Sequence, residues 1–221
     1  MGPGVIDVFV EYWPIFLKGT LGTLRFAFIA VSIGSILGTF VAFLHLSKNR
    51  IISRAAAIYA NVLRGTPLLV QMYIAYFFIP IAIPVLNKVD KEVYVLISLC
   101  LNSSAYVSEI IRGGINSVDI GQSEAARSLG LSASHTMRKI ILPQAIKNIL
   151  PALANEYIAM IKETSMAGSF MLYELMYTRT ILANKYLSWQ PLLIIAAIYL
   201  MLTLVLTFMV KKLEERLALS D

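Results

Sequence analysis

The sequence predicts an all-α membrane protein with five transmembrane helices, an external N-terminus and a cytoplasmic C-terminus. Its composition, its long apolar segments and the placement of its basic residues predict this fold. Of 221 residues, 58% are hydrophobic and 14% are charged, and the mean hydropathy is +0.73. A soluble domain does not need so much apolar sequence to fill its core. The apolar runs also lack the alternation of a transmembrane β-barrel.

Five low-charge segments are each long enough for the roughly 20 residues that cross a hydrocarbon core of about 30 Å. An α-helix suits such segments because all its backbone hydrogen bonds are formed within the segment. The predicted spans cover residues 19–46, 55–86, 93–117, 149–171 and 190–210.

The basic residues are concentrated on alternate connections between these spans. Basic clusters follow the first, third and fifth spans, whereas the two signs of charge nearly cancel on the other connections. The positive-inside rule makes the basic connections cytoplasmic. The net charge of +6 therefore reports orientation, and we do not expect a nucleic acid partner. The basic clusters contain Lys48, Arg50 and Arg54, then Arg112, Arg127, Arg138, Lys139 and Lys147, then Lys211, Lys212 and Arg216.

Two features within the first two spans predict local geometry. Gly34 and Gly38 form a small-xxx-small pattern in the first span, which allows another helix backbone to approach closely. Arg64 and Pro67 flank an expected break near Thr66 in the second span, because proline lacks a backbone donor. A break at this depth must face protein or a watery cavity. Gating and simple helix packing both remain possible roles for this region.

The polar insert after the third span carries the most specific motif of the chain. Glu124-Ala125-Ala126 is followed after three residues by Gly130, after nine more by Ile140, and after one more by Leu142-Pro143. We expect a helix, a turn and a second helix. Glu124 is predicted in the first turn of the first helix, where the helix dipole favours an acid, and Gly130 in the left-handed turn. Ser132 or Ser134 would cap the second helix, which Pro143 would end.

This insert resembles the EAA loop of the membrane subunits of ATP-binding-cassette (ABC) importers, and every spacing of that motif is met. Further segments resemble the polar amino-acid uptake branch of these permeases, from about Gly19 to Leu213. They are Gly19-Thr20 with Leu24, the stretch 64–71, Ala105-Tyr106, the stretch 109–115 and Lys162-Glu163-Thr164-Ser165.

The resemblance implies a type I importer permease with several partners. Two ABC ATPase subunits would dock on the EAA helix, through Glu124, Ala125, Ala126, Leu129 and Gly130. A second permease subunit, either a copy or a close paralogue, would lie alongside, and an extracytoplasmic solute-binding protein would deliver the amino acid. The sequence contains no G-x-x-x-x-G-K-[ST] phosphate loop. We therefore expect no enzymatic activity and no cofactor in this chain, with ATP and Mg²⁺ bound by the partner ATPase.

On this interpretation the chain has three parts in a prokaryotic inner membrane. Residues 1–18 form an outer amphipathic segment, 19–213 a single permease domain in membrane lipid with its coupling loop at 118–143, and 214–221 a cytoplasmic tail.

Three acidic residues fall within predicted spans, where a charge costs about 2.5–3.5 kcal/mol and is a functional hypothesis by default. Glu109 is interpreted as structural or gating, through an ion pair with Arg64 or Arg112. Glu156 and Glu163 lie seven residues apart on one helix face. Glu163 is the deeper, and its carboxylate favours a cationic ligand.

Neutral polar side chains near these acids complete the predicted substrate site. Asn102 and Tyr106 lie on successive turns of the third span with Ser103 beside them, and Gln71 follows the break in the second span. Each could instead form an interhelical hydrogen bond. His45 and His135 lie too far apart in the topology for a metal site, and none is predicted.

The leading interpretation is an ATP-driven importer of polar amino acids, with the basic ones, arginine, lysine and histidine, as the expected substrates. A proton-coupled secondary transporter that uses Glu163 or Glu109 is the alternative, but it leaves the EAA insert unexplained. A membrane scaffold is a third class, and it has no need for polar groups that face one another in the membrane.

Overall fold

The computed structural model describes residues 4–183 and 189–218, and within these ranges the chain is helical and contains no strand. In these two ranges, ten α-helices are connected by short turns, two π-helical turns and two 3₁₀ segments. The α-helices are α1 (Val5–His45), α2 (Arg50–Gly65), α3 (Leu68–Tyr73), α4 (Ile79–Ala82), α5 (Lys91–Asn116), α6 (Ile120–Ser128), α7 (Ala133–Thr136), α8 (Leu142–Glu163), α9 (Tyr177–Ala183) and α10 (Gln190–Ala218).

Among the described residues, α1, α5 and α10 are each long and apolar enough to cross a membrane. The pair of α2 with the following segment 68–82 makes a fourth candidate, bent by 102° at the break. Helix α8 covers much of the predicted fourth span but does not meet the same test of length and composition. The count of five spans and the orientation of the termini therefore stay predictions.

The exposed faces of α1 and α10 carry large apolar side chains, as expected for surfaces that contact lipid. The main buried cluster lies between α1, α3, α5 and the end of α8, with Phe26, Leu99 and Ile161 among its members. Gly34 allows α1 to approach α5 closely, since a β-carbon there would lie 2.7 Å from Cβ of Ser103. The predicted small-residue packing face is confirmed.

The break in the second span is also confirmed. Helix α2 ends at Gly65, Thr66 and Pro67 have extended backbone, and α3 begins at Leu68. The predicted break therefore produces two helices that meet at a sharp angle, with polar side chains around the joint.

The polar insert forms a helix, a turn and a second helix, as expected, although some of its details differ from the prediction. Gly130 has φ of 83°, the left-handed conformation that glycine adopts without steric cost. Ser132 caps the second helix by accepting a hydrogen bond from the amide of His135. Glu124, however, is the fifth residue of α6 rather than a first-turn residue. Asp119 caps this helix earlier than expected and accepts from the Gly121 amide, so the helix begins before the motif.

The prediction that Pro143 ends the second helix is wrong. Helix α7 continues through a π-helical turn, Met137–Ile141, directly into α8. Pro143 is the second residue of α8. A proline removes one helical donor and crowds the carbonyl four residues before it, and the wider π turn accommodates both effects. The same arrangement occurs in the second span, where the π turn Ile74–Phe78 precedes Pro80 by two residues.

Candidate functional site

A cavity of about 350 Å³ lies beside the break in the second span. Its walls are formed by the backbone and side chains of residues 64–69, by Asn102 and Tyr106 of α5, and by Glu163 and Met166 at the end of α8. The fold brings these elements together because the break turns the end of α2 and the start of α3 toward α5 and α8. The cavity is large enough for an amino acid and contains charged groups of both signs.

Three of the five predicted substrate residues line this cavity: Asn102, Tyr106 and Glu163. Arg64 and Pro67, predicted as gating or structural residues, line it as well. Ser103 and Gln71 lie next to the cavity but do not line it.

Gln71 braces the break. Its Nε2 donates to the main-chain carbonyl of Leu63 at 2.7 Å and to that of Thr66 at 3.0 Å. Both carbonyls lose their helical partners where α2 ends. The Gln71 side-chain oxygen accepts from Nδ2 of Asn102 at 3.3 Å, so Gln71 also orients a cavity residue.

Asn102 has an unused hydrogen-bond acceptor. The residue is 3% exposed, and its Oδ1 has no hydrogen-bond partner among the described residues. A buried acceptor without a partner costs about 1–3 kcal/mol. The arrangement therefore favours a ligand that brings an N–H donor to this atom.

Glu163 is half-buried, and within the described part of the chain its carboxylate makes no hydrogen bond and no ion pair. Glu156, one heptad earlier on α8, accepts a hydrogen bond from the Ser103 hydroxyl at 3.2 Å. The sequence identified Glu156 as an acid within a span but not as a residue of the site. Its contact with Ser103 depends on how α5 and α8 pack, which residue spacing does not reveal.

Glu109 is the centre of an ion-pair cluster at the edge of the cavity. Its carboxylate pairs with Arg112 at 2.7 Å and with Nη1 of Arg64 at 3.3 Å, and it lies 3.6 Å from Nδ1 of His45. Both predicted arginine partners are thus engaged, and His45 of α1 is an additional neighbour. The Arg64 guanidinium also lies 5.5 Å from the centre of the Tyr106 ring, within the range of a cation–π contact.

On the insert, the residues of the EAA motif are divided between two faces. Glu124, Ala125, Leu129 and Gly130 are exposed, and Leu129 is 85% exposed. Ala126 is buried against its own chain at 5% exposure, so it does not belong to the accessible part of the predicted apolar face. A partner can reach Ala125 and Leu129. No group of three or more His, Cys, Asp or Glu side chains within the described ranges is arranged to hold a metal ion.

Comparison with known proteins decides the family. Residues 34–219 match the family described as binding-protein-dependent transport system inner membrane component. The chain belongs to this family. It is a transport permease subunit, and an ATPase and a solute-binding protein are the general partners of such permeases.

Two curated relatives and one solved structure place the chain among amino-acid ABC importers. A putative glutamine transport system permease protein, GlnP, from Rickettsia bellii is 41% identical over 92% of this chain and 93% of its own. The arginine transport system permease protein ArtQ from Bacillus subtilis is 39% identical over 94% of both chains. The crystal structure of an amino acid ABC transporter with histidines superposes with a TM-score of 0.92 at 40% identity, over 98% of this chain and 100% of the other. The chain is an amino-acid ABC importer permease with the type I fold.

Proposed function

We propose that this permease carries basic amino acids, and that the cavity beside the break is their site in the membrane. The observation that carries the proposal is that one cavity contains two acceptor groups without a partner among the described residues. The Glu163 carboxylate has no ion-pair partner among the described residues, and Asn102 Oδ1 has no donor there. A guanidinium or ammonium group supplies both the charge and the N–H donors that these atoms lack.

Charge supports a basic side chain over a neutral one. A carboxylate without an ion-pair partner in a membrane-spanning region costs about 2.5–3.5 kcal/mol on insertion scales, and a bound cation offsets that cost. Glu156 lies seven residues earlier on the same helix but does not line the cavity, so the preference for a positively charged ligand rests on Glu163. The name of the B. subtilis relative, an arginine transport permease, agrees with this preference, whereas the R. bellii relative is named for glutamine.

The exposed insert supports coupling to a partner ATPase. Leu129 is an exposed apolar side chain at the C-terminal end of a helix of nine residues. A short helix with such a side chain can enter a groove on another protein. In this proposal two ATPase subunits bind the EAA helices of two permeases, which are copies of this chain or close paralogues. ATP-driven closure of the ATPases moves the inserts together and opens the cavity outward, as in alternating access.

The proposed orientation follows from this docking. The insert must face the cytoplasm to meet the ATPase, so the permease lies in a prokaryotic inner membrane with five spans and an external N-terminus. ATP and Mg²⁺ bind to the ATPase, and the solute-binding protein approaches from outside.

A ligand screen with the purified complex tests this function. The permease, its ATPase and its binding protein are reconstituted in liposomes, and uptake of arginine, lysine, histidine, glutamine and glutamate is measured. Uptake of the basic amino acids, dependent on ATP and insensitive to a proton uncoupler, is expected. Uptake of glutamine alone would contradict the basic specificity, and uptake abolished by the uncoupler would contradict ATP coupling.

A further inference from the structure

The charged groups around the cavity do not cancel locally: positive charge is in excess on one side and negative charge on the other. Glu109 is a single carboxylate that contacts two guanidinium groups, Arg64 at 3.3 Å and Arg112 at 2.7 Å. These three groups together have one positive charge in excess. Of the two arginines, Arg64 lines the cavity and Arg112 does not.

Glu163, on another wall of the same cavity, is a negative charge without an ion-pair partner in the described chain. The cavity walls therefore have an excess positive charge on the α2 side and an excess negative charge on the α8 side. Every free α-amino acid carries a carboxylate together with a cationic group. The charge pattern of the walls is complementary to both.

Arg64 is held in a position to receive an anion. It contacts Glu109 through Nη1, and its guanidinium lies 5.5 Å from the centre of the Tyr106 ring. Its side chain is 36% exposed, so part of the guanidinium remains accessible. The guanidinium has five N–H donors in a planar fork that suits a carboxylate, and Glu109 uses only some of them.

From this geometry we infer that Arg64 binds the α-carboxylate of the transported amino acid, and that Glu109 is the positioning residue that orients it. This inference rests on the proposed function of the cavity and extends it. It changes the role of Arg64 from a gating residue to one that distinguishes amino acids from amines. The substrate then lies with its carboxylate toward the end of α2 and its cationic groups toward α8.

The test compares an amino acid with the same molecule lacking its carboxylate. Agmatine is arginine without the α-carboxylate, and both are measured by equilibrium binding to the purified permease–ATPase complex. The solute-binding protein is omitted because its own selectivity would obscure that of the cavity. We expect the wild-type complex to bind arginine about 10–100-fold more tightly than agmatine, the size of a hydrogen-bonded charge contact.

Arg64→Gln is expected to abolish the preference for arginine over agmatine. Arginine binding should weaken while agmatine binding stays unchanged. Arg64→Lys, which keeps a single ammonium, should preserve an intermediate ratio. Arg25→Gln is the matched control, because Arg25 also pairs with a glutamate, Glu92, but belongs neither to the Glu109 cluster nor to the cavity lining, and it should keep the wild-type ratio. Gel filtration of each complex verifies assembly.

The remaining outcomes overturn the inference. If Arg64→Gln weakened arginine and agmatine binding equally, Arg64 would act only by maintaining the structure of the site. If the affinity ratio were unchanged, the carboxylate would bind elsewhere. If the wild-type complex binds glutamine but not arginine, the basic specificity fails separately. Glutamine and its decarboxylated analogue 4-aminobutanamide then replace the first pair, with the same criteria for Arg64. A complex that binds neither amino acid would overturn both proposals.

Discussion

A β-carbon placed on Gly38 would lie 2.6 Å from the main-chain carbonyl oxygen of Ser104. Helices α1 and α5 therefore touch backbone to backbone at this position. Gly34 makes the same kind of approach one turn earlier, against Ser103. The contact fixes α5, and with it Asn102, relative to the longest helix of the chain.

Gly38→Val is expected to destabilise the permease by about 1–3 kcal/mol, the usual cost of overpacking a tight contact. The measurement is the thermal unfolding midpoint of the purified protein in detergent. Gly113→Ala is the control, because a β-carbon there meets no atom within 4 Å. Alanine in a helix interior should stabilise by about 0.5–1 kcal/mol. Equal midpoints for Gly38→Val and wild type would contradict the packing.

Glu163→Gln should weaken arginine and lysine transport by about 10–100-fold, because it removes the charge that the cationic group contacts. Uptake into liposomes gives the transport effect, and basal ATP hydrolysis reports the integrity of the complex. Glu214→Gln, on the exposed end of α10, is the control and should leave uptake unchanged. If Glu163→Gln took up arginine at the wild-type rate, a ligand-binding role for this carboxylate would be excluded.

Gly130→Ala should reduce transport per ATP hydrolysed. Alanine in the left-handed conformation costs about 1–2 kcal/mol, so the turn after α6 would change its geometry and misplace the coupling helix. Gly130→Asn is the matched variant, since asparagine tolerates this conformation, and it should retain more coupling. If alanine and asparagine gave the same transport-to-hydrolysis ratio as glycine, the turn conformation would not matter for coupling.

Leu129→Ala should lower ATPase binding without destabilising the isolated permease, because Leu129 is 85% exposed in this chain. Co-purification with the ATPase and the unfolding midpoint of the permease alone separate these effects. Met171→Ala alters a comparably exposed side chain, 76% exposed and far from the insert in sequence, and should change neither. Undiminished ATPase binding by Leu129→Ala would argue against docking on this residue.

Gln71→Leu should destabilise the permease by about 1–3 kcal/mol, because the carbonyls of Leu63 and Thr66 at the break lose their donor. Gln144→Leu is the control. Gln144 also donates to a main-chain carbonyl, that of Ile140, but in an exposed position where water can replace it. Similar unfolding midpoints for the two variants would show that Gln71 does not brace the break.

The sequence predicts those features that depend on local residue chemistry. Pro67 predicts the break, Gly130 the left-handed turn, and the glycines of α1 the close helix contact. Glu109 is predicted to pair with arginine because a lone acid in a span requires a partner. These inferences use residue type and spacing alone, and the structure agrees with each.

Other features depend on packing and cannot be inferred from spacing. Pro143 was expected to end a helix, but the preceding π turn allows the helix to continue. Ala125 and Ala126 are the same residue type at neighbouring positions, so the sequence does not distinguish them. The packing of α6 decides that Ala126 is the buried one. That Arg64 shares a cavity with Glu163 follows from the angle at the break, and no residue pattern gives that angle.

The uninterrupted run of α7, its π turn and α8 makes a lever arm of the helix that begins at Ala133 and ends at Glu163. At 1.5 Å per residue it is about 45 Å long. In the proposed function, one end of this helix adjoins the surface that binds the ATPase, and the other end carries the Glu163 carboxylate that binds the substrate. A tilt of the insert would then reach the cavity through continuous helix, because no loop separates Ala133 from Glu163.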